Sequence, residues 1–253
     1  MIKRYIGLAV LTLFLIGNCS AAYAAESVSN DAVVTAIQGT ARVYTVGTAA
    51  GRALKKGDRI KKEQEIKVAE QSRIELRFPD GTVMRLSERS RVKMSELSFN
   101  KKTDDKNVKV DLSVGRLWAN VRKLTTPKSS VEVKTSNAVA GVRGTIYRVN
   151  VEEDKSALVK VYDGAVYVAN PPRDAAGKPA AEVSKPTEVP GPHEVPPPYH
   201  EVSMEEWTVI VQAMQQITIS SQGVASKPEE FDAKSDADDW VKWNQERDKE
   251  ISF

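Results

Sequence analysis

The chain has 253 residues, of which 41% are apolar, 28% are charged and 6% are aromatic. This composition provides for one buried core with additional segments, and the charged fraction leads us to expect that the mature chain is soluble. The formal net charge is +3, and the presence of only two histidines and one cysteine leaves few candidates for proton transfer, thiolate chemistry or metal binding.

Residues 1–24 have the pattern of a secretory signal peptide. Lys3 and Arg4 form a basic start, an apolar run follows from Leu8 to Ile16, and Ala22-Tyr23-Ala24 is a small-x-small cleavage site. We therefore expect an exported protein, periplasmic or secreted, whose contact with the membrane is limited to the export signal.

Two other fates of this segment agree less well with its sequence. An uncleaved anchor would need a longer apolar run, and a lipoprotein signal would need a small residue before Cys19, where the chain has Asn18. Cleavage after Ala24 removes the only cysteine. The mature chain is therefore expected to have no disulfide and no thiolate ligand or nucleophile.

Basic and acidic residues are segregated along the chain. Residues 51–135 contain 22 Lys and Arg against 12 Asp and Glu, a net charge of +10. Residues 187–253 contain 14 Asp and Glu against 5 Lys and Arg, a net charge of −9. This distribution predicts that the acidic tail docks on the basic segment, or that each segment binds a partner of its own.

Residues 28–170 alternate between apolar and polar residues, which is the pattern of β-strands with one buried face. Ile74, Leu76 and Phe78, for example, share one face. Asp80-Gly81 predicts a two-residue hairpin of type I′, in which both central residues have positive φ, and Asp163-Gly164 predicts a second hairpin turn. No segment before residue 200 has helical periodicity. We predict a mainly β domain, built as a rolled antiparallel sheet or a β-sandwich.

The rest of the chain is predicted to form a connector and a helical tail. Residues 171–200 are rich in proline, which favours an extended connector. In the tail, residues 201–253, a first helix is predicted to begin at the capping box Ser203-Met-Glu-Glu206. Its apolar stripe continues to Ile217 at helical spacing.

A second tail helix is predicted to begin at Ser235 or Asp236, with acidic residues in its first turn, where the helix dipole favours them. It carries two tryptophans, Trp240 and Trp243. They either pack against the β-domain of the same chain or form a surface for a partner.

A turn of small residues with two glycines stands out within the β-pattern, at Gly141-Val142-Arg143-Gly144. Glycines three residues apart predict backbone at positive φ, or backbone packed too closely for a Cβ. Arg143 between them can donate to carbonyls left unpaired by the turn, or contact an anion or a partner. In the strand that follows, Arg148 is predicted to lie on the opposite face from Tyr147.

Several motifs, taken in order, resemble the FecR domain, whose name comes from the periplasmic regulator of ferric-citrate uptake. They are the turn Leu54-Lys-Lys-Gly-Asp58, the strand-D-G-strand segment Ile74–Leu86, the step Leu112-Ser-Val-Gly-Arg-Leu117, the turn Gly141-Val-Arg-Gly-Thr145 and the segment Val159–Val168. The resemblance covers about residues 32–170 and implies that the family signature is structural. The signature residues are Gly141, Arg143, Gly144, Thr145, Asp80, Gly81, Gly115 and Gly164.

For the namesake, the resemblance implies a regulator that receives a signal from a transport receptor and controls a sigma factor. Such regulators place a cytoplasmic anti-sigma segment before one membrane helix, and here only Met1–Ser20 precede the expected cleavage region. We therefore expect an exported, stand-alone FecR-domain protein that lacks this anti-sigma segment.

Residues that would support catalysis are few. The only histidines, His193 and His200, lie in or beside the connector, and no G-x-S-x-G, H-E-x-x-H or phosphate-loop motif is present. We predict no enzyme activity, no cofactor and no metal site. A hydrolase of envelope polymers stays an alternative that would need an acidic or His-bearing cleft.

A run of basic residues near the start of the domain has two interpretations, either a solvated loop beside Glu63 and Glu65 or a site for a polyanion. Its members are Lys55, Lys56, Arg59, Lys61 and Lys62. Nucleic acid is not an expected partner, because no RNP-like aromatic pattern is present.

The sequence thus favours a non-enzymatic module of the periplasm or cell envelope that binds or signals through protein–protein interaction. The alternative is a polyanion-binding or glycan-binding envelope protein that uses the basic face of residues 51–135. The expected partner is an envelope protein or an anionic polymer, and the sequence identifies neither more closely.

Overall fold

A computed structural model describes residues 30–48, 50–171 and 208–251. The described chain is mainly β, with seventeen strands and one short helix, α1 (Asp239–Asp248). The predicted signal peptide, most of the predicted connector with both histidines, and the predicted capping box at Ser203 lie outside the described residues.

The strands pair into two layers, which we call layer A and layer B. From one edge to the other, layer A contains β4 (Arg59–Ile60), β1 (Ala32–Gln38), β6 (Arg73–Arg77), β7 (Val83–Leu86), the second part of β9 (Asp105–Asn120), β12 (Ile146–Val151), β13 (Ala157–Asp163), β16 (Gln215–Ile219) and β17 (Glu229–Glu230).

Layer B is built around the first part of the same long strand, β9. Its order is β3 (Arg52–Ala53), β2 (Ala41–Tyr44), β5 (Glu65–Val68), β8 (Arg91–Asn100), β9, β10 (Ser130–Lys134), β11 (Val139–Val142), β14 (Ala165–Ala169) and β15 (Thr208–Gln212). Among the described strands, only the β9–β10 pairing is parallel.

Strand β9 passes from layer B to layer A at Gly115. This glycine has φ +98°, and a Cβ there would lie 2.5 Å from the Ser90 Cα. Both the conformation and the close approach require glycine. The signature residue Gly115 therefore has a structural role, as the corner that lets one strand belong to both layers.

The core lies between the two layers, because period-2 alternation directs every second side chain of each strand inward. Ile74 and Leu76 from layer A and Val92 and Met94 from layer B, all 0% exposed, belong to one hydrophobic cluster. Tyr147 is in this cluster and Arg148 is not, so the predicted alternation of β12 is confirmed.

The first predicted tail helix is wrong. Residues 208–219 form strands β15 and β16, which pair with β14 and β13 and extend the two layers beyond residue 170. Val211 and Ile217, both 0% exposed, join the core. Residues 208–219 are rich in β-branched Val, Ile and Thr, whose restricted χ1 favours strands. Pairing with the edges of the existing sheets then stabilises strands over a helix.

The second predicted helix is confirmed, with a start later than expected. Helix α1 begins at Asp239, and Asp238 is its N-cap, whose side chain accepts a hydrogen bond from the Val241 N–H. Within the described residues, no helix is long and apolar enough to cross a membrane.

The two predicted D-G hairpin turns are both corrected. Asp80-Gly81 does join the paired strands β6 and β7, but only Gly81 has positive φ (93°), and its N–H donates to the Phe78 carbonyl at 2.9 Å. This is a type I turn followed by a glycine in the left-handed region. Asp163-Gly164 does not form a hairpin, because β13 belongs to layer A and β14 to layer B.

Candidate functional site

The most distinctive chemistry of the fold lies on the outer face of layer A, under helix α1. Cross-strand pairing aligns Glu75, Arg85, Trp118, Arg148 and Lys160 on five neighbouring strands. We call these five residues the covered row. Charged side chains on an outward face normally reach water, but here helix α1 and the residues before it lie over them.

The first half of the covered row is a buried ion-pair network. Arg85, whose side chain is 0% exposed, donates through Nε to Glu75 Oε2 at 2.7 Å and through Nη1 to Asp248 Oδ1 at 2.6 Å. Arg247 also donates to Glu75, through Nε at 2.7 Å and Nη2 at 3.1 Å. Helix α1 is therefore joined to layer A by charge-assisted hydrogen bonds in both directions.

The charge on Glu75 depends on these partners. Burial by itself would raise the pKa of Glu75, but hydrogen bonds from Arg247, Thr35 and Arg85 outweigh burial and lower the pKa to about 2. The Thr35 hydroxyl donates to Glu75 Oε1 at 2.6 Å. The carboxylate is thus held ionised while almost fully removed from water.

The second half of the covered row binds Asp236, which precedes the helix. Its Oδ1 accepts from Arg148 Nη2 at 2.8 Å and from Lys160 Nζ at 2.7 Å, and its Oδ2 accepts from the Tyr162 hydroxyl at 2.5 Å. Burial acts to raise the pKa of Asp236, but the donors from Lys160, Tyr162 and Arg148 outweigh it and the pKa is lowered. The acidic tail therefore docks on the β-layers, as the charge segregation predicted.

The tryptophans of α1 complete this interface. Trp240 is 5% exposed and forms a hydrophobic cluster with Trp118 and Val241, and half-buried Trp243 packs against the cluster, with its ring centroid 5.4 Å from that of Trp240. Trp240 and Trp243 were candidates for a partner surface. In the folded chain they pack against their own β-domain instead, because the apolar face around Trp118 would otherwise be exposed.

Sequence reasoning did not identify the covered row as buried. Alternation placed Glu75 and Arg148 on outward faces, which is correct, but nothing local indicates that a helix far along the chain covers them. The signal that bears on this burial was the net +10 segment opposite the net −9 segment, which predicted docking without naming residues.

Four of the family-signature residues meet at one corner between the layers. Gly144 has φ +113°, and a Cβ there would lie 2.8 Å from the Lys123 Cα. A Cβ on Gly164 would lie 2.8 Å from the Gly144 carbonyl oxygen, and the Thr145 hydroxyl donates to the Ala165 carbonyl at 2.9 Å. Arg143, which lies next to Gly144, is exposed and donates to the Thr126 carbonyl at 2.9 Å.

Gly141 and the aspartate of the first turn differ from these. Gly141 lies inside β11 without positive φ, and a Cβ there would meet nothing closer than the Tyr167 carbonyl oxygen at 4.0 Å. The expectation of strained or crowded backbone is therefore wrong for Gly141. Asp80 accepts from the Thr82 N–H at 3.0 Å and from Lys106 Nζ at 3.0 Å, so it stabilises its own turn and anchors it to β9.

The predicted basic run forms a surface at the edge of the domain. All five side chains are exposed, and none lies within 4.0 Å of a carboxylate oxygen of the described residues; they are Lys55, Lys56, Arg59, Lys61 and Lys62. Neighbouring basic residues are neutralised, since Arg52 pairs with Asp58 at 2.6 Å and Lys93 with Glu63 at 2.6 Å.

An exposed apolar pair lies at the opposite edge of layer B. Tyr167 on β14 and Ile210 on β15 are register partners, 49% and 46% exposed. On the other side of Tyr167, its register partner on β11 is Gly141, which presents no side chain. Strand β15 pairs only with β14 among the described strands. This surface, which we call the Tyr167 shelf, combines apolar area with a strand side that pairs with no other described strand.

Residues suited to bond-making chemistry are not assembled in the described part of the chain. No group of three or more His, Cys, Asp or Glu residues that could hold a metal ion occurs among the described residues. The carboxylates at this interface, Glu75, Asp236 and Asp248, are all engaged by arginine or lysine. The described part of the chain thus presents exposed surfaces and buried ion pairs.

Residues 64–167 match the family described as "FecR protein". Over these 104 of its 253 residues the chain therefore matches a FecR domain, a family that is typically non-enzymatic. The match begins after the Leu54–Asp58 turn, so it covers less than the predicted resemblance, although the turn itself forms, with the Lys55 N–H donating to Asp58 Oδ2 at 2.9 Å.

Two crystal structures of "a putative anti-sigma factor from Parabacteroides distasonis ATCC 8503" are similar to this chain, with TM-scores of 0.44 and 0.45 at 20% and 18% identity. Each alignment covers 67% of this chain and 61% of the other chain, so the matched part spans about three fifths of those proteins. No curated protein matches the chain in sequence.

Proposed function

We propose that this protein is an exported, non-enzymatic module of the cell envelope that acts by protein–protein interaction, in signalling or in scaffolding. The FecR domain supports a signalling-type role. The signal-peptide pattern of residues 1–24 supports export. The observation that carries the proposal is the Tyr167 shelf.

Trp240 and Trp243 of the tail pack internally, which leaves the Tyr167 shelf, among the described residues, as an exposed apolar area with the geometry of a docking site. Aromatic side chains supply much of the binding energy in protein interfaces. The side of β15 that faces away from β14 carries main-chain donors and acceptors that a partner strand can pair with. The proposed partner is thus an envelope protein that adds an extended segment beside β15.

The test is a crosslinking pull-down from the native envelope with the mature full-length chain and with a Tyr167→Ser, Ile210→Thr variant. We expect one dominant protein to be captured by the unchanged chain and lost from the variant, with little effect of added salt. Val46→Ser is the matched control, because Val46 is 75% exposed at the turn after β2, away from the shelf.

The alternative function, polyanion or glycan binding through the basic run, is favoured by one observation: its five cations have no carboxylate partner among the described residues. The two proposed functions are distinguished by a variant in which four lysines of the basic run are changed to Gln: Lys55, Lys56, Lys61 and Lys62. Retention on an anionic polymer that falls steeply with salt and is lost in this variant would support the alternative. Capture that depends on Tyr167 and resists salt would contradict it.

A further inference from the structure

A polar cleft of about 350 Å³ opens beside the start of helix α1. Its floor is formed where β1 ends at Gln38 and β6 begins at Arg73, which are register partners. One wall is Arg116, next to the Gly115 corner of β9, and the other is Trp240 of the helix. The cleft therefore exists only because the tail docks on layer A.

The residues that line this cleft favour a polar ligand. Apart from Trp240, every lining residue is polar or charged, with paired guanidinium, carboxylate, amide and hydroxyl groups. Sites for lipids and other apolar ligands are lined predominantly by hydrophobic side chains. Planar amide, carboxylate and guanidinium groups instead match a ligand with many neighbouring hydroxyl groups.

Arg73 gives the cleft a preorganised site for an anionic group. Its Nε donates to Gln38 Oε1 at 2.7 Å, and its guanidinium lies 4.8 Å from the ring centroid of Trp243. These contacts hold the side chain while its two Nη groups donate to no acceptor among the described residues. A guanidinium held in this way offers a two-pronged donor of the shape of a carboxylate.

The opposite wall is also fixed in place. Arg116 donates to Asp238 Oδ2 at 2.5 Å and lies 5.8 Å from the Trp240 ring centroid. Trp240 is only 5% exposed, and its indole N–H has no acceptor among the described residues. Because the Trp240 ring is almost fully buried against Trp243 and Arg116, it closes this wall of the cleft, and the polar side chains supply the contacts with a ligand.

We propose that this cleft binds a carboxylated saccharide, with the carboxylate on the Arg73 fork and ring hydroxyls on the surrounding amide and carboxylate groups, which include Gln38, Gln71, Glu88 and Asp239. The volume lies at the small end of the range for ligand sites, which suits a short saccharide segment.

This site is separate from the basic run and goes beyond the proposed protein-binding function. On β1, Val33 pairs with Arg59 of the basic run and Gln38 pairs with Arg73 of the cleft. At about 3.3 Å per residue, those positions lie roughly 17 Å apart along the strand. Binding at the cleft can therefore be tested without changing either the basic run or the Tyr167 shelf.

The experiment titrates the full mature chain with trigalacturonate and with hyaluronan tetrasaccharide, by calorimetry and by the NMR shift of the Trp240 indole N–H. The matched control ligand is methyl-esterified trigalacturonate, which has the same rings without the charge. We expect saturable binding of at least one acidic probe, a shift of the Trp240 resonance, and binding to the ester at least about tenfold weaker.

Arg73→Gln is expected to weaken binding of the acidic probe about tenfold or more, whereas Arg77→Gln, on the same face of β6 but outside the cleft, leaves it unchanged. Unfolding curves of both variants confirm that each is folded. Equal binding of acid and ester, equal binding by Arg73→Gln, or no saturable binding of either acidic probe at millimolar concentration would each overturn the proposal. Release of shortened probe would replace a binding site with a hydrolase.

Discussion

The outer faces of layers A and B both carry ion pairs, but the ion pairs on layer A are buried and those on layer B are exposed. On layer A, the ion pairs of Glu75 with Arg85 and of Asp236 with Arg148 have side chains no more than 8% exposed. On layer B, Glu65 pairs with Lys67 at 3.3 Å and Arg91 at 3.7 Å, and these side chains are 32–51% exposed. Alternation places charges outward on both faces, but among the described residues only the face of layer A is covered.

This difference changes what the charges do. An exposed ion pair is solvated with or without its partner, so it contributes little to stability. A buried charge depends on its partners, because losing one leaves the other without water and without a counter-charge. The covered row therefore makes docking of the tail specific, whereas the charges on the face of layer B, exposed in the described structure, contribute little to stability.

The largest effect is expected from removing different lengths of the tail. A chain that stops at Pro198 loses β15 and β16, and with them the buried Val211 and Ile217, so it should not fold cooperatively. A chain that stops at Ser235 keeps both layers and loses only Asp236, helix α1 and the residues that follow. We expect it to unfold cooperatively with stability lowered by about 3–5 kcal/mol.

Urea unfolding followed by circular dichroism measures both chains against the full one. A Pro198-terminated chain that unfolds with the midpoint of the full chain would show that residues 208–219 are not integral to the sheets. Such a result would restore the view of residues 201–253 as a separate helical tail.

These strands also show where sequence reasoning stops. The alternating core of residues 28–170 was predictable, because period-2 burial is local. Residues 208–219 were not, since the apolar side chains of Ile210, Met214 and Ile217 recur at a spacing that suits one face of a helix. The choice depends on pairing with β13 and β14, which no short window contains.

The candidate surfaces, too, were predictable from the sequence only where a local pattern determines them. Exposure of the basic run followed from its composition, and the charge segregation predicted that the tail docks. The contacts that carry the docking join residues up to 172 positions apart, such as Arg247 with Glu75. Alternation shows which way Glu75 faces, but only the three-dimensional arrangement shows what lies over it.

The next largest loss of stability is expected from one of two matched substitutions, which compare an ion pair on layer A with an ion pair on layer B. Glu75→Gln removes the carboxylate that buried Arg85 shares with Arg247 and leaves Arg85 paired with Asp248 alone, so we expect the free energy of unfolding to fall by about 3–5 kcal/mol. Glu65→Gln makes the same chemical change on layer B and should cost no more than about 1 kcal/mol. The urea midpoints of the two variants, compared with that of the unchanged chain, measure both losses of stability. Similar losses for the two variants would mean that cover by the tail does not change what an ion pair contributes.

The smallest expected effect is the change in stability at low pH, which should arise from the buried carboxylates of layer A. Glu75 has a pKa of about 2 in the folded chain, against 4.5 as its ordinary value. A carboxyl group whose pKa is lower in the folded state contributes stability that is complete above its unfolded pKa and is lost as the pH falls toward the folded pKa. We therefore expect urea midpoints to fall between roughly pH 5 and pH 2, with Asp236, whose pKa is also lowered, acting in the same direction.

The Glu75→Gln variant should show a shallower fall in urea midpoint over that range, because it has no carboxyl group to protonate at this position. Glu65→Gln should keep the slope of the unchanged chain, since its ion pairs are solvent-exposed. Parallel slopes for the unchanged chain and Glu75→Gln would mean that the acid sensitivity arises outside the Glu75 network. In that case the Asp236 contacts with Arg148 and Lys160 would be tested next, by Asp236→Asn over the same pH range.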